Sequence, residues 1–139
     1  ALLLMGALHV RGEIELRAVV CTLAPADDRA RLARGLLDAM GLQSVCVGVG
    51  SDGNAAGPGR LFLQHPRICP DPVNPTGEDA LLCAYSNAAD ASLLFFILAS
   101  YSAAADFARG HASLFIAKTK CVIIMGGAVV APRESSTAE

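Results

Sequence analysis

The sequence predicts an α/β fold: a doubly wound, mainly parallel sheet with helices on both faces. Short apolar runs rich in Val, Ile, Leu and Phe recur at residues 14–22, 45–49, 93–98 and 120–125. These runs show little alternation of apolar and polar residues, as expected of strands covered on both sides. Stretches with apolar residues at helical spacing separate them. Strands joined through helices imply right-handed crossovers and a parallel sheet. Such sheets bind ligands beyond the carboxyl ends of their strands. The positions just after Thr22, Val49, Leu98 and Met125 are therefore the first places to look for a site.

The elements follow in chain order. Residues 1–10 read as a helix already in progress, with no polar N-cap before Leu2-Leu3-Leu4. Residues 14–22 (IELRAVVCT) read as a buried strand. Pro25-Ala26-Asp27-Asp28 offers a turn and acidic residues suited to a helix start. Leu32, Leu36, Leu37 and Met40 then recur at helical spacing, and Gly41 supplies the stop. Residues 45–49 form a second short strand. Residues 50–77 form an irregular loop, Gly-rich at first and then studded with Pro66, Pro70, Pro72 and Pro75. Order returns with a helix over 78–91 and a fully buried strand, LLFFIL, over 93–98. A helix over 103–109 stops at Gly110, and a further helical turn spans 112–117. The last strand, KCVIIM over 120–125, ends in Gly126-Gly127.

Composition narrows the function classes. The chain has 139 residues, enough for one domain, and its 53% hydrophobic and 17% charged residues exclude a disordered tail. A net charge of -2 argues against a basic nucleic-acid surface, and the absence of Trp argues against stacking platforms for single strands. Residues 81–108 are apolar, yet Asn87, Asp90, Ser100, Ser102 and Asp106 interrupt them, so a buried helix–strand–helix is expected rather than a membrane span. The apolar opening lacks a basic lead and a small-residue cleavage site, so a signal peptide is not expected. Five cysteines without a C-x-x-C pair indicate neither a zinc ribbon nor a disulfide framework. Cys21, Cys46 and Cys121 lie in apolar runs and read as reduced core thiols, which suits a cytoplasmic setting.

Local motifs give little chemistry. Gly48-Val49-Gly50-Ser51-Asp52-Gly53 matches G-x-G-x-x-G after a strand. A dinucleotide site needs a helix to open at once, so that its N–H groups face the pyrophosphate. The following Asn54-Ala55-Ala56-Gly57-Pro58-Gly59 cannot supply it. Ser51 has Val49 where a nucleophile elbow needs Gly. His65 and Cys69 stand alone in a Pro-rich loop, and Asp27 and Asp28 read as helix-start residues.

The order of segments and their ends carry a resemblance. EIELRAVVCT, a helix ending GLLDAMG, then VCVGVG, then LLFFILAS and KCVIIMGGAV resemble the first half of the inosine–uridine preferring nucleoside hydrolase family. The strand ending in Met125-Gly126-Gly127-Ala128 is the most specific piece, and Ala138-Glu139 resembles the start of the family's A-E-F-N segment. The resemblance implies hydrolysis of the N-glycosidic bond of a ribonucleoside to ribose and free base. It implies calcium as cofactor, holding the ribose hydroxyls and the attacking water. Carried over by position, Met125 and Gly126 would line the ribose, Glu139 would bind its 5′ end, and Ala99 would offer calcium a backbone carbonyl.

The departures matter as much. The family's D-x-D-x-x-x-D-D cluster precedes a helix like that at Leu2-Leu3-Leu4, so the chain reads as a single domain over 1–139 that is incomplete at both ends. Its late His-Asp pair also has no counterpart here. The family's G-P-L-T-N reads Ser100-Tyr101-Ser102-Ala103-Ala104, its G-N after the first strand reads Pro25-Ala26, and an Asn expected near Arg133 is missing. No catalytic residue can be assigned, and calcium is not expected to bind this chain. The expectation is a nucleoside hydrolase relative, inactive as this stretch, with a ribonucleoside as ligand and no nucleic-acid or membrane partner. Assembly into a homo-oligomer is compatible with it. The alternative is a non-catalytic α/β homologue acting as a binding or structural module.

Overall fold

The computed structural model describes residues 1–53, 67–73 and 75–126. Among these residues nine elements run in the order α1 (Leu2–Val10), β1 (Ala18–Cys21), α2 (Ala26–Ala39), β2 (Cys46–Val49), α3 (Gly77–Ser86), β3 (Leu93–Ile97), α4 (Ser102–Gly110), α5 (Ala112–Lys118) and β4 (Thr119–Ile124). The fold is α/β, and its strand pairs are parallel. Among the described residues the four strands form two separate pairs, β1–β2 and β3–β4, rather than the one doubly wound sheet the sequence predicts.

Local chemistry fixes the helices. α2 buries Ala26, Ala30, Ala33 and Leu37, one stripe along its length. It ends as the glycine predicts: Gly41 takes φ +76, its N–H donates to the Asp38 carbonyl, and Leu42 N–H donates to the Leu37 carbonyl. α3 starts on a capping box, with Asp79 N–H donating to Thr76 Oγ1 at 3.1 Å and Thr76 N–H to Asp79 Oδ2 at 3.1 Å. It stops at Ser86, earlier than the sequence suggests, and Ala88 N–H closes a turn onto the Tyr85 carbonyl.

The strands are where expectation and structure part. β1 holds four residues and not the nine of 14–22, because β2 offers only Cys46–Val49 as partners. Leu16 N–H is instead taken by His9 Nδ1 at 2.9 Å, which ties the approach segment back to α1. β1–β2 is covered on both faces. Val19, Cys21, Val47 and Val49 meet Ala30, Ala33 and Leu37 of α2, while Val20 and Gly48 turn toward α3. β3–β4 is covered on one. Phe95 packs with Tyr85, Phe107 and Phe115 in an aromatic core. Leu94, Phe96, Ile123 and Met125 are exposed, so 93–98 is not a fully buried strand. Cys21 and Cys46 are only partly buried and Cys121 is exposed, contrary to the expectation of three core thiols.

α3 joins the two halves. Gly77 and Ala80 face β1–β2, and Leu81 and Tyr85 face the aromatic core, with Tyr85 Oη 3.0 Å from Thr119 Oγ1 at the start of β4. No helix among the described residues is long and apolar enough to cross a membrane.

Candidate functional site

Parallel strands bring two chain ends together at their carboxyl side. Ile97 pairs with Ile124, and Met125 N–H donates to the Ile97 carbonyl at 2.9 Å, extending the β3–β4 ladder one step. Leu98 and Met125 therefore leave the paired ends of β3 and β4 together. Tyr101 crosses this junction, its hydroxyl donating a long hydrogen bond (3.4 Å) to the Met125 carbonyl. A side chain at position 126 would collide with that hydroxyl, so glycine there is what lets the Tyr101 ring approach. Met125 is 63% exposed and Tyr101 48%, leaving an apolar thioether and a phenol open to a ligand. α4 starts directly behind them, and its N-cap residue Tyr101 makes no side-chain capping bond. Ser102 N–H, the first of α4, donates a long hydrogen bond to Ser100 Oγ at 3.5 Å.

Of the four residues singled out from sequence, Met125 and Gly126 meet Tyr101 here, and Ala99 follows the end of β3 two residues after Ile97. Glu139 lies outside the described residues. Tyr101, noted in the sequence only as a departure from the family pattern, is the residue that bridges the junction. An aromatic one turn-step past a strand end is the signal that could have marked it.

The carboxyl end of β1–β2 is built differently. Leu23 N–H donates to the Ser51 carbonyl and Ala24 N–H to the Asp52 carbonyl, both at 2.9 Å. Asp52 Oδ1 accepts from Ala26 N–H at 2.8 Å, so a carboxylate of the protein already occupies the N-terminus of α2. The G-x-G-x-x-G match thus resolves into structural parts. Gly48 lies inside β2, Gly50 passes close to Thr22, and Asp52 caps α2. A cleft of about 450 Å³ lies at the other end of β2, beside Arg34, Asp38 and Cys69. Arg34 is consumed there by Asp38 and by the Leu42 and Val45 carbonyls, so it holds the α2–β2 turn.

Calcium takes 6–8 oxygen ligands, mostly carboxylates and carbonyls. Among the described residues no three His, Cys, Asp or Glu side chains converge to hold a metal ion. The carbonyl of Ala99 alone does not make such a site, so the described residues by themselves do not fit calcium. His65 of the candidate His–Cys pair lies outside the described residues, as do 54–64 of the irregular loop. Comparison with known proteins finds no matching family model, no matching curated protein and no matching solved structure.

Proposed function

We propose that the junction beyond β3 and β4 is a nucleoside-binding surface of nucleoside hydrolase type. Met125 and Gly126 would lie against the ribose, and Glu139 would hold its 5′ end. The observation that carries this reading is the Met125 N–H bond to the Ile97 carbonyl, which brings the two strand ends side by side under Tyr101. An exposed thioether beside a phenol suits the apolar face of a sugar, and the Tyr101 hydroxyl can accept from its hydroxyls. The lack of a converging acidic group among the described residues favours binding over hydrolysis for this chain. A non-catalytic homologue that binds nucleoside is therefore the form of the reading we adopt. Cleavage to ribose and free base, with calcium as cofactor, is proposed only for a protein that also supplies the acidic cluster.

Calorimetric titration of the 139-residue chain with inosine and with uridine, paired with a ribose-release assay in calcium, tests this. Binding without ribose release is expected. Met125→Ala should weaken binding about fivefold, the equivalent of roughly 1 kcal/mol of lost apolar contact. Absence of binding to either nucleoside would turn the reading to a structural module, and ribose release would show that catalysis needs no further acids.

A further inference from the structure

Two thiols far apart in sequence meet on the α3 face of β1–β2. Cys46 opens β2 and Cys83 lies in the middle of α3. Ala80 and Ala84 are buried on the same side of that helix, so α3 sits low on the strands and its neighbouring positions come within reach of β2. Gly48 allows this approach, since a side chain there would lie 2.5 Å from the Thr76 carbonyl and 2.8 Å from Ala80 Cβ. As a result Cys46 Sγ–H donates to Cys83 Sγ at 3.4 Å, across 37 positions of sequence. Both sulfurs open into a cleft of about 270 Å³ beside His9, Arg17 and Asn87, so a small reagent can reach them.

We propose that Cys46 and Cys83 form a redox-modification site, a dithiol that low-molecular-weight disulfides oxidise to a bond between β2 and α3. This inference is independent of the nucleoside reading. Cys83 is the exposed partner and its sulfur accepts the hydrogen bond, so it reacts first. Its thiolate attacks one sulfur of the reagent, forming a mixed disulfide and expelling one thiolate, which takes up a proton. Cys46 then gives its proton to water, and its thiolate attacks the Cys83 sulfur. The Cys46–Cys83 bond forms and the second reagent thiolate leaves. Two protein thiols are oxidised and one reagent disulfide is reduced to two thiols, so the exchange balances and a dithiol reductant reverses it. The hydrogen bond to Cys83, together with burial, holds the Cys46 thiol above its ordinary range, which fits the resolving role. Cys21 is a built-in control: burial raises its thiol to about 11, so its thiolate is scarce at neutral pH.

The test exposes the reduced chain to glutathione disulfide and follows intact mass and non-reducing peptide maps. Cys69→Ser is mapped in parallel, because trypsin leaves Cys69 and Cys83 on one peptide. The expected product is a single internal bond joining Cys46 to Cys83, with Cys21 reacting roughly a hundredfold more slowly. Cys46→Ser should stop at a stable glutathione adduct on Cys83, and Cys83→Ser should leave Cys46 largely unmodified. Bonds scattered over other cysteines, a lasting adduct on Cys83 in the unaltered chain, or no thiol loss would each overturn the proposal. The unaltered chain alone decides the main point, so a variant that failed to fold would not rescue it.

Discussion

Cys21 shows how one side chain can write a pH dependence into the whole fold. It lies on β1 against the α2 stripe, and burial raises its thiol to about 11, an effect that the Arg29 charge partly offsets. In the unfolded chain the same thiol ionises near 9. Above that pH the unfolded state releases a proton that the folded state keeps, so stability present below pH 9 is lost as pH climbs toward 11. Tyr85 acts in the same direction from a higher starting point, because burial raises its hydroxyl while the bond to Thr119 opposes the shift. Unfolding free energies from urea titrations between pH 8 and 11 should therefore fall, by on the order of 2 kcal/mol for the thiol. In Cys21→Ala the fall between pH 9 and 10 should shrink; an unchanged slope would remove Cys21 as its cause. Sequence reading places Cys21 among apolar neighbours, where the structure leaves it partly buried. The same reasoning fails at Cys121, whose neighbours Val122 and Ile123 are themselves exposed. An apolar run reports what could be buried, and only the partner elements decide what is.

At the scale of elements, the contact of α3 with β2 rests on the absence of side chains. Gly48 faces the Thr76 carbonyl, Ala80 Cβ and Gly77 Cα within 2.9 Å of where its Cβ would stand. Two of these are backbone atoms that cannot rotate away. Gly48→Ala should therefore lift the amino end of α3 and cost about 1–3 kcal/mol, the range for overpacking a tight core. Chemical denaturation reads this, and a variant as stable as the parent would show that α3 shifts without penalty. The helices themselves were legible because their signals are local. Gly41 ends α2 through a left-handed turn, as its sequence position predicts, whereas the T-x-x-D start of α3 at Thr76 and Asp79 is a local signal that the reading of a helix from 78 passed over. Asp79 is held below its ordinary carboxyl range by its bonds to Thr76, so that cap weakens as acid protonates it. Strand lengths were less legible, since residues 14–17 carry strand-like composition but have no ladder partner beyond the Cys46 N–H bond to the Arg17 carbonyl.

Across the whole molecule the two strand pairs are unequal. α2 and α3 cover both faces of β1–β2, whereas α3, α4 and α5 gather on one face of β3–β4. Pairing is a non-local property, so a pattern of strands and helices could predict parallel pairs without fixing how the described strands divide between them. The candidate site followed the same rule. Met125 and Gly126 were readable from a local motif, while Tyr101 over Met125 and Cys46 beside Cys83 depend on which elements meet. The face that the other described residues leave open has its own consequence. Leu94, Phe96 and Ile123 share one side of the β3–β4 ladder, with Leu98 and Met125 at its end, and all five stand at least 39% exposed. A contiguous apolar face on a sheet is a site of association. Sedimentation over roughly a hundredfold range of concentration should show mass-action self-association. Phe96→Lys puts a charge in the middle of that face, where desolvating it opposes docking. The variant should stay monomeric over the same range with little change in stability, because the Phe96 side chain leaves the aromatic core untouched. A parent chain that remains monomeric throughout, or a Phe96→Lys chain that associates as strongly as the parent, would mean that this face does not drive assembly.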